Sequence, residues 1–247
     1  MTKYAHDEVV PYQGEGLNKK QQVAKMFDSI AGKYDFMNRF LSAGIDVQWR
    51  KKAIRQLTDI NPRKILDVAT GTADVAIMTQ SILKPDQIIG IDISEGMLEL
   101  GRKKVEKLGL NKTIELHTGD SETINYPDNT FDAITVAFGV RNFENLEKGL
   151  SEMRRVLKPG GKLVVLEFSK PRQTGFKSLY QVYMNIVAPG VGKFFTNNRN
   201  AYQYLNESVQ AFPEREDFIR IMKQTGYANT YFKPLSLGIC CIYCGSK

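Results

Sequence analysis

The chain has 247 residues, enough to bury a full core as one domain or as one domain with an insertion. Its 42% hydrophobic and 25% charged residues exclude a disordered or fibrous chain. No apolar run is long enough for a membrane-spanning helix, and residues 1–8 lack the apolar core of a signal peptide, so a cytoplasmic location is expected. The formal net charge of +7 bears on partners rather than fold: nucleic acid and an anionic membrane surface are both compatible with it, as is a generally basic proteome.

Residues 1–18 are polar, contain glycine and show no period, which predicts a mobile tail. From Lys19 the apolar set Val23, Met26, Phe27 and Ile30 predicts a helix. An aromatic segment, Tyr34 to Arg50, leads into a second helix. Lying before the first strand, residues 19–60 read either as cover helices over a ligand site or as simple packing helices. Ile65, Leu66 and Val68 form a short strand that ends beside Asp67, turns through Gly71 and enters a helix at Asp74. A strand, a tight glycine turn and a helix N-terminus make up the ligand-binding unit of a doubly wound α/β sheet. A second strand, Gln87–Asp92, closes on a carboxylate 25 residues after Asp67, about where such folds place the acid that binds a ribose diol.

Charge argues for the kind of nucleotide. A pyrophosphate site needs glycines for close approach and no anion beside the phosphates. Here Gly71 is followed by Thr72, Ala73 and Asp74, and carboxylates flank the turn at Asp67 and Asp74. They suit a ligand with an ammonium and a sulfonium, which points to S-adenosyl-L-methionine. The plain alternative is a structural βα turn with ordinary surface acids.

The βα alternation continues. A helix with Met97, Leu98, Gly101, Val105 and Leu108 precedes a third strand, Thr113–His117, which runs into Gly119, Asp120 and Ser121; His117 reads as structural. A fourth strand, Phe131–Phe138, ends in Gly139, Val140, Arg141 and Asn142. The next helix stops at Pro159-Gly160-Gly161, and a fifth, nearly all-apolar strand covers Lys162–Phe168. Residues 170–212 break the rhythm with two tyrosine-rich amphipathic helices: Phe176, Leu179, Tyr180, Tyr183, then Ala201, Tyr204, Leu205, Ser208 and Phe212. An aromatic stripe at helical spacing is usually core, but this one lies near the carboxyl ends of the strands, so a greasy lid or membrane-facing patch is the alternative. A helix and two strands, Tyr227–Lys233 and Leu237–Tyr243, close the chain, giving a single domain over residues 19–247 with a helical insertion. Cys240, Cys241 and Cys244 fall in the last strand. There, Cys241 and Cys244 point to opposite faces and make a poor chelate, so no metal is expected.

The spacing of Asp67, Gly71, Asp92 and Asp120, closed by a C-terminal hairpin, resembles the class I S-adenosylmethionine-dependent methyltransferases. The resemblance implies a Rossmann-like, seven-stranded, mostly parallel sheet with a C-terminal antiparallel hairpin. Three stretches are more specific. Tyr34–Trp49, Phe138–Phe143 and Arg155–Ser169 are similar to the signatures of the ubiquinone/menaquinone biosynthesis C-methyltransferases (the UbiE type). That resemblance implies that Gly71 and Thr72 hold the methionine end of the cofactor, Asp92 the ribose, and Asp120 with Ser121 the adenine. It also implies a polyprenylated quinol substrate, most simply demethylmenaquinol, with a methoxybenzoquinol as the alternative ring. The chain departs from the family pattern at Asp46, where histidine is common, and at Ala73, where a second glycine is usual.

For ring methylation the acceptor is best attacked as its phenolate. Arg141 is read as a fixed positive charge beside it, Asn142 as a hydrogen-bonding partner of the neighbouring oxygen, and Asp46 as a candidate base. A nucleic-acid methyltransferase is the rival. The end of strand 4 lacks the Asn/Asp-Pro-Pro-Tyr box and no cysteine lies near the site, so no nucleic-acid partner is expected. Oligomeric state is left open, with a homodimer as one option.

Overall fold

The computed structural model describes residues 4–14, 16–172 and 199–247. Seven strands form one sheet in the order β3-β2-β1-β4-β5-β7-β6. They are β1 (Lys64–Val68), β2 (Gln87–Asp92), β3 (Ile114–Thr118), β4 (Phe131–Ala137), β5 (Leu157–Phe168), β6 (Ala228–Leu235) and β7 (Cys240–Ser246). Strands β1 to β5 run parallel to one another, and β7 enters antiparallel between β5 and β6. Chain order reverses between β1 and β4, so the crevice at the carboxyl ends of these two strands is the expected ligand site.

Helices cover both faces. On one side α2 (Ile45–Ile54), α3 (Asp74–Leu83) and α4 (Glu95–Lys107) bury Trp49, Ala76, Leu98 and Val105 against Ile65, Ile88 and Val164. On the other, α5 (Leu146–Val156), α6 (Arg199–Ala211) and α7 (Glu216–Gln224) flank a cluster in which Leu150, Phe212 and Phe218 pack with Leu66, Ile134 and Val165. The central strands β1, β2, β4, β5 and β7 therefore feed alternate side chains to two cores. Cys240 and Cys244 belong to one core and Cys241 to the other, all three as buried thiols.

Helix α1 (Lys19–Leu41) starts on a capping box in which Asn18 accepts from the Gln21 N–H at 2.9 Å and Gln21 accepts from the Asn18 N–H at 3.2 Å. It continues into the aromatic segment as far as Leu41. The chain turns only at Gly44, whose φ of +76° suits a residue without Cβ. Part of the segment expected to be mobile is packed: Tyr4 donates to Glu147 Oε1 at 2.7 Å, and His6 is fully buried.

Two boundaries differ from the sequence reading. Helix α5 ends at Val156, and the Pro159-Gly160-Gly161 stretch lies within β5 beside a shift in its register with β4. Pro234 sits inside β6, opposite Cys241, instead of ending it. Strand β6 is a sheet edge, where a missing N–H costs no ladder bond, so the turn falls later, at Ser236–Gly238. Of the proposed insertion, residues 173–198, including Phe176, Leu179, Tyr180 and Tyr183, lie outside the described residues, while α6 is its described helix.

Candidate cofactor and acceptor site

A cavity with about 650 Å³ of open space lies over the carboxyl ends of β1, β2 and β4. Its floor includes Val68, Ala69, Gly71, Asp92, Ala137 and Gly139; Lys20, Val23, Phe27 and Tyr34 of α1 form the opposite wall. Gly139 permits the floor to close, because a Cβ there would stand 2.6 Å from the Ala69 Cβ. Three non-glycine residues at this crevice adopt left-handed backbone: Ala69 (φ +54°), Ala73 (φ +65°) and Phe138 (φ +59°). Such strain concentrates at functional loops.

Asp92 is the best-built polar group of the cavity. Its Oδ2 accepts from the Gly71 N–H at 2.8 Å and its Oδ1 from the Ser94 N–H at 2.9 Å. Both oxygens are thus aimed by backbone, and each keeps a lone pair for a hydroxyl. Burial dominates its titration and pushes its pKa up to about 6 despite those bonds. Asp120 and Ser121 also line the cavity. Lys20 bonds Asp120 Oδ2 at 2.7 Å and Glu122 Oε2 at 2.8 Å, so α1 is latched to the far end of the site.

Other expected cofactor residues stand elsewhere. Asp67 does not line the cavity: its two oxygens accept from Thr70 Oγ1 at 2.7 Å and Thr135 Oγ1 at 2.6 Å, and burial lifts its pKa to about 6. It ties the turn to β4. Thr72 and Asp74 are also absent from the lining. Thr72 donates to Asp35 Oδ1 at 2.6 Å and accepts from Lys104 at 2.9 Å. Asp74 pairs with Arg39 at 3.0 Å and Lys104 at 2.9 Å. The two acids that flank the turn are therefore matched by hydroxyls or cations. They do not select a cationic ligand as the sequence suggested, and Asp92 is the acid that keeps lone pairs at the cavity.

Asp46 is not placed as a base. It is 3% exposed and accepts from Arg39 Nη1 at 2.8 Å, from Ser42 Oγ at 2.8 Å and from Arg50 Nη1. Burial alone would raise its pKa, but the charges of Arg50 and Arg39 and the Ser42 bond prevail and lower it. A doubly paired carboxylate holds protons weakly; Asp46 clamps α1 to α2.

At the other end of the cavity the turn Val140–Asn142 follows β4. Asn142 lines the cavity with Phe138 and Phe143. Arg141 is 3% exposed and lies behind that wall. Its Nη1 donates to Glu167 Oε1 at 2.8 Å and to the Phe138 carbonyl at 2.5 Å, and its guanidinium stands 5.5 Å from the Phe168 ring centroid. Glu167, at the end of β5, is fully buried, and burial raises its pKa while Arg141 opposes the rise. The expected isolated positive charge is thus half of a buried ion pair.

Sequence reasoning assigned no role to Glu167, Tyr34, Lys20 or Glu122. Glu167 carried a signal, being the one charged residue ending an otherwise apolar central strand. The other three are recruited by packing of α1 and by a loop, for which no local pattern exists. His117 is exposed and pairs with Glu115 at 3.5 Å, away from the cavity. Among the described residues no group of three or more His, Cys, Asp or Glu side chains is placed to hold a metal ion.

The fold recurs in solved structures of low identity. A SAM dependent methyltransferase from Aquifex aeolicus aligns with a TM-score of 0.53 at 21% identity, over 74% of this chain and 81% of that one. The [4+2]-cyclase SpnF aligns at 0.61 and 17% identity over 92% and 96%, so the fold by itself does not fix the reaction. Sequence relatives are much nearer. The demethylmenaquinone methyltransferase of Bacteroides fragilis is 46% identical over 244 residues, 99% of each chain. The ubiquinone/menaquinone biosynthesis C-methyltransferase UbiE of Geobacter sulfurreducens is 44% identical over 230 residues, 93% of this chain and 90% of that one. The sequence profile of the ubiE/COQ5 methyltransferase family matches residues 16–247. The chain belongs to the ubiE/COQ5 methyltransferase family.

Proposed function

We propose that this methyltransferase moves a methyl group from S-adenosyl-L-methionine to a ring carbon of demethylmenaquinol. The single observation that carries the reading is one cavity with a ribose-type acid, Asp92, at one end and the Asn142 turn at the other, in a chain 46% identical to a demethylmenaquinone methyltransferase. Asp92 would take the ribose hydroxyls, Asp120 and Ser121 the adenine, and the backbone at Gly71 the methionine end. Thr72, Asp67 and Asp74 support the turn from outside the cavity. The cofactor supplies an electrophilic methyl on sulfur.

The chain's own contribution is alignment and a polar acceptor wall. Holding the carbon, methyl and sulfur in line is worth roughly 7–11 kcal/mol in favourable cases. Phe27, Tyr34, Phe138 and Phe143 give that wall an aromatic lining that excludes water from the quinol ring. Asn142 donates to the ring oxygen whose deprotonation makes the adjacent carbon nucleophilic. Arg141 acts from the layer behind, where its pair with Glu167 leaves a dipole poorly screened by water. With Asp46 held in its ion pairs, solvent at the cavity mouth is the simplest acceptor for the phenolic proton. Once the methyl has left sulfur for the ring, the hydrogen on the methylated carbon returns as a proton to that ring oxygen, so that one proton is released in all.

The insertion at residues 170–212 and the +7 net charge fit guidance of a prenyl tail from an anionic membrane surface. Among the described residues no helix is long and apolar enough to cross a membrane. The 44% identity to a UbiE relative keeps a methoxybenzoquinol as the second ring. Incubating the protein with labelled S-adenosylmethionine and each quinol in detergent separates the two by product mass. Label in the naphthoquinol supports the reading, and label in neither ring removes it.

A further inference from the structure

Helix α6 carries a mostly apolar stripe (Ala201, Tyr204, Leu205, Ser208) whose spacing reads as core, yet it brings one buried hydroxyl to the acceptor wall. Tyr204 is 2% exposed, and its phenol donates to Asn142 Oδ1 at 3.1 Å. Its ring packs in a small cluster with Val23, Met26 and Ala201, and Val23 also lines the cavity. Tyr204 therefore touches both the α1 wall of the cofactor cavity and the turn that faces the acceptor.

An amide side chain has an accepting end and a donating end, and rotation by half a turn exchanges them. With Oδ1 committed to Tyr204, the NH2 group is the end left over. Its contact with the Phe138 carbonyl is long, 3.4 Å, and leaves its hydrogens available. Burial pushes the phenol's pKa well above the usual tyrosine value; of the neighbouring charged groups, Glu167 adds to the rise and Arg141 opposes it without cancelling it. The hydroxyl is thus a permanent donor.

We propose that Tyr204 is a positioning residue for methyl transfer: its hydroxyl holds the Asn142 amide so that the NH2 faces the quinol oxygen beside the attacked carbon. The inference rests on the function proposed above and adds how a helix of the insertion takes part in it. A merely structural tyrosine would lose stability on removal of its hydroxyl without any selective loss of turnover.

The test uses the full chain with S-adenosylmethionine and a short-tailed demethylmenaquinol. Tyr204→Phe should lower kcat about tenfold, the scale of one well-placed hydrogen bond, with cofactor affinity and quinol KM within about twofold. Tyr227→Phe is the control. It deletes an equally buried phenol bond, to the Leu150 carbonyl at 3.1 Å on the far side of the core, and should leave kcat unchanged. Asn142→Ala should cost more than Tyr204→Phe, and the double variant should be no worse than Asn142→Ala alone. The inference is overturned if Tyr204→Phe turns over like the unaltered protein, if the two effects multiply, or if Tyr227→Phe slows the reaction equally. An unaltered protein that methylates no quinol overturns the functional reading and this inference together; an active one indifferent to Tyr204→Phe overturns only the latter.

Discussion

The two ends of the cavity are built in different ways. At the cofactor end a carboxylate at a strand terminus, Asp92, is aimed by backbone N–H groups from Gly71 and Ser94, all within the first two βα units. At the acceptor end, Arg141 and Asn142 follow β4, Glu167 ends β5, Tyr34 comes from α1 and Tyr204 from α6. The first end is set by short-range chain geometry that any sequence with the right turn reproduces. The second is a set of side chains that support one another across long sequence separations, so it should respond to substitution as a unit.

That contrast predicts the largest effects at the acceptor end. Arg141→Ala should abolish measurable turnover. Because it strands fully buried Glu167, it should also cost about 3–5 kcal/mol of stability in denaturant unfolding. Adding Glu167→Gln should restore much of the stability but none of the activity. If the double variant regains turnover, Arg141 serves only to neutralise Glu167. At temperatures where Arg141→Ala remains folded, its cofactor affinity should stay within a few-fold, which keeps the two ends distinct.

Replacing Asp92 with Asn should weaken cofactor binding by roughly ten- to a hundredfold, the range for hydrogen bonds to a charged group. Asn can accept from only one of the two N–H groups that Asp92 now satisfies, so a modest loss of melting temperature should accompany it. An unchanged dissociation constant in calorimetry would move the ribose elsewhere.

The same carboxylate predicts opposite pH dependences for binding and folding. Burial raises both Asp92 and Asp67 from 3.8 to about 6. A raised carboxyl favours the protonated native state. Its contribution to stability is therefore fully present below about pH 4 and is lost as pH rises through about 6. Cofactor affinity should run the other way. Ribose hydroxyls need the ionised form, so binding should be flat above pH 7 and weaken by up to about tenfold per unit below 6. Calorimetry across that window checks the binding limb, and Asp92→Asn should flatten it.

The smallest effect concerns the turn itself. Ala73, at φ +65°, sits where alanine is disfavoured by roughly 1 kcal/mol, so Ala73→Gly should raise stability by about that much and leave cofactor affinity unchanged. A loss of stability would show that the methyl group, fully buried in the α3 core, packs well enough to outweigh the strain.

How much was legible follows the same division. The strand ends at Asp67 and Asp92, the Gly71 turn and the thiols of β7 could be read because alternation and short spacing are local signals. The partners of Asp74 and Asp46 could not: Arg39 lies 35 and 7 residues away, and only the placement of the end of α1 beside both α2 and the start of α3 makes both pairs. The end of α1 had no local signal: aromatic residues lower helix propensity, while burial of Met37 and the cavity face of Tyr34 favour continuing the helix to Leu41. The strand expected over Tyr227–Lys233 continues past Pro234 because the effect of a proline depends on whether the strand is an edge, which is a property of the sheet.

The amino-acid sequence by itself determined the order of strands and helices, the site of the crevice and the family, and it singled out Asp92 as the acid at the end of β2. Each of these rests on periodicity or on residues close together in the chain. Only the tertiary structure decided which acids face the cavity and which are spent on cations, that Arg141 is paired with Glu167, and that Tyr204 meets Asn142. Charge pairing and side-chain burial depend on distances through space, and chain separation does not encode them.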